Sequence, residues 1–304
     1  MTTPPSSPSS AQPADDIQHQ LAALRPRLHR YCARMAGSAL DGEDIVQDTL
    51  IKATEHYDAQ TVRHLEAWLF RIAHNTAMDF LRRRALEKTV FVEEPADGPD
   101  AYAPEDDSAS HLDNAHEVAT LALRTFVRLP IAQRNAVILA DVLGYAVLEA
   151  ADIVGASLPA TKAALHRGRV RLREMAAQPD EAAPAALSAS DHALVAAYAA
   201  RFNARDFDGL RDMLAEEARL DLVARHRVQG RAAVSNYFGN YSGVKGVWVQ
   251  PGSLEGHGGL WVYEEGEAGK APAYFVALAW QGGKLLAIRD FRYARYATED
   301  MLLN

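Results

Sequence analysis

One cysteine, Cys32, stands in 304 residues. A disulfide framework and a cysteine-built zinc cluster are therefore excluded, and a reducing, cytoplasmic location is expected. Long apolar runs are missing too: no uninterrupted stretch approaches the ~20 residues that a membrane-spanning helix needs. The opening MTTPPSSPSSAQPADDIQH has neither the basic nor the apolar region of an export signal and reads as a disordered tail. Positive charge is in short supply, with 32 Lys and Arg against 40 Asp and Glu and a formal charge of −8. That balance argues against indiscriminate polyanion binding by the whole surface. No metal, no other cofactor and no membrane partner are expected.

What is present is an ordinary globular composition, 48% hydrophobic and 24% charged, in a chain long enough for two or three domains. Its charge is segregated. Val90 to Ser110 holds seven acids and no Lys or Arg, whereas Lys162 to Arg173 holds five Lys or Arg and no acid. Punctuation by Pro, Gly and Ser gives a disordered tail over 1–16, a helical bundle over 17–90, an acidic flexible linker over 91–111, a second helical part over 112–176, a linker over 177–190 and a final domain over 191–304. In that final domain HALVAAYAARFNARD, FDGLRDMLAEEARL and GRAAVSNYFGNY read as helices. VKGVWVQPG, GGLWVYEE and AYFVALAWQGGKLLAIRDFRYARY read as strands of a curved antiparallel sheet with a QGGK hairpin, an α+β arrangement.

The stretch 147–169, VLEAADIVGASLPATKAALHRGR, has helix-turn-helix layout. Ala151 is small where two helices cross, Gly155 can supply the positive φ of the turn, Ser157 can cap the next helix, and Pro159 falls in its first turn, where a missing N–H costs little. Basic side chains on such a helix neutralise phosphates, and residues near its N-terminus reach base edges in the major groove. A helical hairpin with a solvated basic face is the competing reading. A second stretch, AWLFRIAHNTAMDFLRRR (67–84), brings Asn75, Asp79 and Arg82 together at helical i, i+3 and i+4 steps. Amide and guanidinium groups beside aromatic rings can hold unpaired bases; equally, Trp68, Leu69, Ile72 and Phe80 can be core and the arginines a solvated helix end.

DGEDIVQDTLIKA (41–53), the 67–84 stretch and LPIAQRNAVILADVLGYAVLEAADIVGASLPATKAALHRGRVRLRE (129–174), in that order, resemble regions 2 and 4 of bacterial sigma factors of the extracytoplasmic-function (ECF) type. The resemblance implies that Asp44, Gln47 and Asp48, with Ile45 and Leu50 beneath or beside them, dock on the β′ clamp of RNA polymerase core. It implies that Asn75, Asp79, Arg82 and Arg83, with Arg71 and His74, melt promoter DNA and read the −10 element on the displaced strand. Ser157, Ala160, Lys162, Ala163, His166, Arg167 and Arg169 would read the −35 element as a duplex. Thr161 stands where the family usually has an aliphatic β-branched residue.

The final domain resembles SnoaL-like domains of the nuclear transport factor 2-like superfamily, carried by LVAAYAARFNARDFDGLRDMLAEEARLDL, GRAAVSNYF and LAIRDFRY. The implied fold class is multidomain: two all-α domains, a sigma region 2 bundle and a sigma region 4 helix-turn-helix, followed by an α+β cone with an internal pocket. The implied function is promoter recognition and transcription initiation without catalysis, the C-terminal domain modulating activity. Promoter DNA and polymerase core are the partners, with a small-molecule ligand of the C-terminal pocket as a further candidate. Asp221, His226, Glu255, His257 and Asp290 are the groups there that could shuttle a proton, and Trp248, Trp261, Phe275 and Trp280 could line a cavity or fill the core. Two other functions fit the same residues: a helix-turn-helix regulator acting without polymerase core, and an isomerase or cyclase activity in the C-terminal domain.

Overall fold

A computed structural model describes residues 13–87, 118, 121–176, 187–265 and 271–303. Residues 1–12 of the expected tail, the acidic linker 91–111 and most of the 177–190 linker lie outside them. The chain divides into two compact units: one holds residues up to Arg169 except 120–126, and the other holds 120–126 and Val170 onward.

The first unit is all helical. α1 (Pro13–Ala36) and α2 (Ala39–His56) are joined by two residues that each do one job. Gly37 takes φ +72°, a conformation that side chains resist, and Ser38 Oγ accepts the Asp41 N–H at 2.9 Å to cap α2. The helices cross closely because residue 42 is glycine; a Cβ there would stand 2.5 Å from the Ala33 Cα. α3 (Leu65–Glu87) closes the bundle. Its buried stripe is Leu69, Phe70, Ala73, Thr76 and Ala77, a 3-4 spacing that turns Trp68, Ile72 and Phe80 to the margins, where they are only half-buried. The core assignment of those three is therefore corrected by one helical step. Each fully buried Leu or Phe contributes roughly 1.5–3 kcal/mol to this core.

The same unit contains α4 (Ile131–Val137), which continues as a π-helical turn (Ile138–Val142), then α5 (Val147–Val154) and, as far as Arg169, α6 (Leu158–Ala176). Gly155 ends α5 at φ +72°, with the Ala156 N–H reaching the Ala151 carbonyl at 3.0 Å, the turn its position in the sequence predicts. At the start of α5 the Glu149 carboxylate accepts the Ala146 N–H at 2.9 Å. α6 lies close to α4 at Gly168, where a Cβ would meet Val137 Cγ2 at 2.7 Å.

The second unit carries α7 (Ala189–Asn203), α8 (Phe207–Met213), β1 (Leu214–Leu222), β2 (His226–Gln229), α9 (Arg231–Ser242), β3 (Val247–Leu254), β4 (His257–Glu264), β5 (Tyr274–Gln281), β6 (Lys284–Asp290) and α10 (Tyr296–Met301). The strands form one six-stranded sheet in the order β2-β1-β6-β5-β4-β3. α7 packs on β3 and β4, and α9 on β1 and β2. Gly282 and Gly283, both at positive φ, make the β5–β6 hairpin with Gln281 opposite Lys284, as QGGK predicts. Two expectations fail together. LAEEARL, the second half of the stretch read as helix, lies in strand β1, and because β1 pairs parallel with β6 the sheet is mixed rather than antiparallel. Ala218, Leu220 and Leu222 are buried on alternate positions, so pairing with β6 and β2 overrides the helical propensity of Ala and Glu.

Candidate nucleic-acid interface

On α2, Asp44, Gln47 and Asp48 share one side at i, i+3 and i+4; Asp48 is exposed and the other two are half-buried. Ile45 is buried beneath them and Leu50 is half-buried. Ile51, 50% exposed, continues the same stripe. Sequence reading missed it, although the three-residue step from Asp48 was the available signal. An apolar side chain flanked by carboxylates in this way suits a protein partner with a basic, partly apolar surface.

The arginine triplet on α3 is divided by helical rotation. Arg84 turns back to pair with Asp41 on α2. Arg82 and Arg83 point outward, held over Asp79: Arg82 Nη1 donates to Asp79 Oδ1 at 2.9 Å, and Arg83 Nε to the Asp79 carbonyl at 3.4 Å. Asn75 is exposed one turn before Asp79. These four residues make a polar, cation-rich edge that can meet both the phosphates and the base edges of a single strand.

The remaining two residues of that set, Arg71 and His74, are engaged with the helix-turn-helix part. Arg71 Nη2 donates to the Asp152 carbonyl at 2.6 Å. His74 Nδ1 lies 3.2 Å from Asn135 Oδ1 and 3.1 Å from Tyr31 Oη, and the Tyr31 hydroxyl donates to Asn135 Oδ1 at 2.6 Å. Burial lowers the His74 pKa and so favours the neutral ring, against the opposing pull of the Asn135 hydrogen bond.

Ser157, just before α6, is exposed, as are Ala160, Lys162 and His166 on the helix, while Ala163 and Arg167 are half-buried. Those five helical residues lie away from the buried Thr161, Ala164 and Leu165. Arg169 does not belong to that surface. Its guanidinium is buried in a two-point contact with Asp141, Nε to Oδ2 at 3.0 Å and Nη2 to Oδ1 at 2.6 Å, which ties α6 to the π-helical turn. The sequence-based assignment of Arg169 to DNA contact is corrected accordingly: a buried bidentate pair has no free donor face to offer a base.

The C-terminal candidates are not assembled into one site. Asp221, on β1, is engaged by Arg227 at 3.1 Å and Arg289 at 3.7 Å. His257, exposed, begins β4, which β6 and β5 separate from β1. Trp248 is 39% exposed and stacked on Tyr263 at 4.1 Å, and Trp261 is half-buried against Phe275 at 4.7 Å. Of the aromatic set only Phe275 is fully buried. What the fold does assemble is a buried carboxylate among tyrosines. Asp290 Oδ2 accepts from Tyr237 at 2.8 Å and Tyr241 at 3.2 Å, Oδ1 accepts the Arg292 N–H at 2.8 Å, and the Tyr241 and Tyr274 hydroxyls stand 3.2 Å apart. Burial raises the Asp290 pKa and pushes that of Tyr274 up to about 12. The i, i+4 pair Tyr237 and Tyr241 in SNYFGNY was the only local sign of this cluster.

Comparison with known proteins places the chain in a family. Sigma-70 region 2 matches residues 21–87 and Sigma-70, region 4 matches residues 121–172. The ECF RNA polymerase sigma factor SigG of Mycobacterium tuberculosis is 31% identical over 235 residues, which cover 69% of this chain and 63% of SigG; the chain thus spans less than two thirds of that relative. The crystal structure of the extracytoplasmic function sigma factor SigJ of M. tuberculosis aligns with 90% of this chain and 95% of its own at 22% identity and a TM-score of 0.35. ECF RNA polymerase sigma factor EcfG of Rhodopseudomonas palustris is 31% identical over 163 residues, 52% of this chain and 83% of EcfG. With both regions present in order and a relative of that kind, 31% identical, covered over 83% of its length, the chain belongs to the ECF RNA polymerase sigma factors.

Proposed function

We propose that the protein confers promoter choice on RNA polymerase core and starts transcription, working in the cytoplasm and catalysing no reaction itself. In this reading the α2 stripe Asp44, Gln47, Asp48 and Ile51 docks on the β′ clamp. The α3 edge Asn75, Asp79, Arg82 and Arg83 then holds the displaced strand of the −10 element, and Ser157, Ala160, Lys162, Ala163, His166 and Arg167 meet the −35 duplex. The C-terminal unit modulates this activity. The observation that carries the reading is the α3 edge, where an Asp and two Arg stay exposed on the helix whose other side is the buried stripe of Leu69, Phe70, Ala73, Thr76 and Ala77. Exposed ion pairs of this sort add little to stability, so a contribution to the fold is a weak reason for the arrangement.

Transcription in vitro with core enzyme tests it. Arg82→Ala with Arg83→Ala is expected to lower open-complex formation by tenfold or more, and Asp48→Ala with Ile51→Ala to weaken capture of core. A helix-turn-helix regulator acting alone would bind duplex DNA without core and ignore the α2 changes. No helix among the described residues is long and apolar enough to cross a membrane.

A further inference from the structure

We propose that the C-terminal unit carries a DNA-contacting surface of its own, an arginine-lined face of the sheet that grips the phosphate backbone of duplex DNA near the −35 element. Strand pairing lays this face out. On β1, Ala218, Leu220 and Leu222 are buried, so Glu217, Arg219 and Asp221 turn to the other side. Asp221 stands opposite Arg227 of β2 and Arg289 of β6, and Arg219 stands opposite Gln229 and Ala287. Residues directly opposite in a ladder point the same way, which gathers Arg219, Arg227 and Arg289 on one side of three adjacent strands. The turn between β1 and β2 adds Arg225, whose N–H donates to the Leu222 carbonyl at 2.9 Å. Its side chain is exposed, with the guanidinium carbon 4.7 Å from the centre of the Tyr293 ring, and His226 is exposed beside it.

Charge and tether both point to this occupant. Four arginines share the face with two carboxylates, Glu217 and Asp221, in a chain whose formal charge is −8, so the positive excess is local. Asp221 is shared, 3.1 Å from Arg227 and 3.7 Å from Arg289, and can neutralise no more than one of them. Arg225 lies on an aromatic ring, which holds the side chain in place without cancelling its charge. Arg219 and Arg227 are diagonal neighbours, roughly 7–8 Å apart, a spacing from which two long side chains can reach successive phosphates of one strand. Contacts to phosphate position a protein without reading sequence, so this face adds affinity and leaves promoter choice to the helices. The tether argument rests on the promoter reading above. Residues 177–188 join α6, which ends at Ala176, to α7, which begins at Ala189, and at full extension reach about 40 Å. With α6 on the −35 duplex, the start of α7 is kept within about 12 base pairs of it. So short a tether gives an effective concentration in the millimolar range, at which a few phosphate contacts suffice for occupancy.

Binding of the full chain to a labelled DNA duplex, followed by anisotropy at several salt concentrations, tests the face. Arg219→Ala with Arg225→Ala, both at exposed positions, is expected to lower the slope of log K against log salt by about 2 and to weaken binding roughly tenfold at physiological salt. Arg219→Lys with Arg225→Lys keeps the charge and is expected to keep the slope. Gln229→Cys, on the same face, is expected to crosslink to the duplex through an attached photoreactive group, whereas Ala193→Cys on α7 is not, Cys32 being buried in both. An unchanged slope in the alanine variant, as an acidic protein occupant would give, overturns the proposal. So does equal crosslinking from both positions, or no binding of the duplex by the wild-type chain at low salt. Start-site selection is scored separately through Arg82→Ala with Arg83→Ala, so a failed promoter reading leaves the slope and crosslink results standing, and a failed face leaves initiation intact.

Discussion

The arginines of α3 and those of the helix-turn-helix part are the same residue put to opposite uses. Arg82 and Arg83 lie in water over an exposed Asp79, whereas Arg169 and Arg134 are buried, one against Asp141 and the other on three backbone carbonyls. An exposed guanidinium is solvated and available to a partner; a buried one is already spent on the fold, because its charge would otherwise be stranded. The carboxylates divide in the same way, Asp48 outward and Asp290 inward. Residue type alone therefore says little about DNA contact, and burial decides.

The sharpest way to break this contrast is Asp141→Ala, which leaves Arg169 buried without its carboxylate. About 3–5 kcal/mol of stability should be lost, read by denaturant unfolding, and a loss under 1 kcal/mol would return Arg169 to the surface set. Next is Tyr237→Phe, which removes a hydrogen bond to a buried carboxyl and is expected to cost about 1.5–3 kcal/mol in the C-terminal unit. A smaller effect should follow from pH. The Asp290 pKa is raised in the folded state, so its contribution is most favourable below the unfolded carboxylate pKa and is lost as pH rises through the folded value. The melting temperature of Asp290→Asn relative to wild type should hence climb from pH 4 toward pH 7; a flat difference would mean that Asp290 is not perturbed. Smallest of all, Arg82→Ala and Lys162→Ala should change stability by less than ~0.5 kcal/mol. Lys162→Ala should still reduce the salt dependence of duplex binding by about one phosphate contact, measured by titration at several salt concentrations.

Legibility followed the range of the interactions. Gly155, Ser157 and the Gly282-Gly283 hairpin act within a few residues, and the sequence placed each where the structure has it. β1 was hidden because its strand character comes from β6, some 70 residues away, while its own Ala and Glu favour helix. The Arg169 pairing spans 28 residues and the Tyr237 to Asp290 bond spans 53, separations that no periodicity reveals. The packing of the helix-turn-helix part on α1 and α3 was likewise invisible: Tyr31 and Asn135 are 104 residues apart, and the acidic stretch between them suggested independence instead.

Arg84, the member of the triplet that turns inward, has a mechanical meaning. Its bridge to Asp41 fastens the outer end of α3 to the opening turn of α2, and the two helices also share the core of Ile45, Leu69 and Ala73. Whatever seats α2 on a larger surface must carry α3 along at a fixed angle, so a single grip sets the aim of the neighbouring helix and the Arg82 and Arg83 edge needs no adjustment of its own.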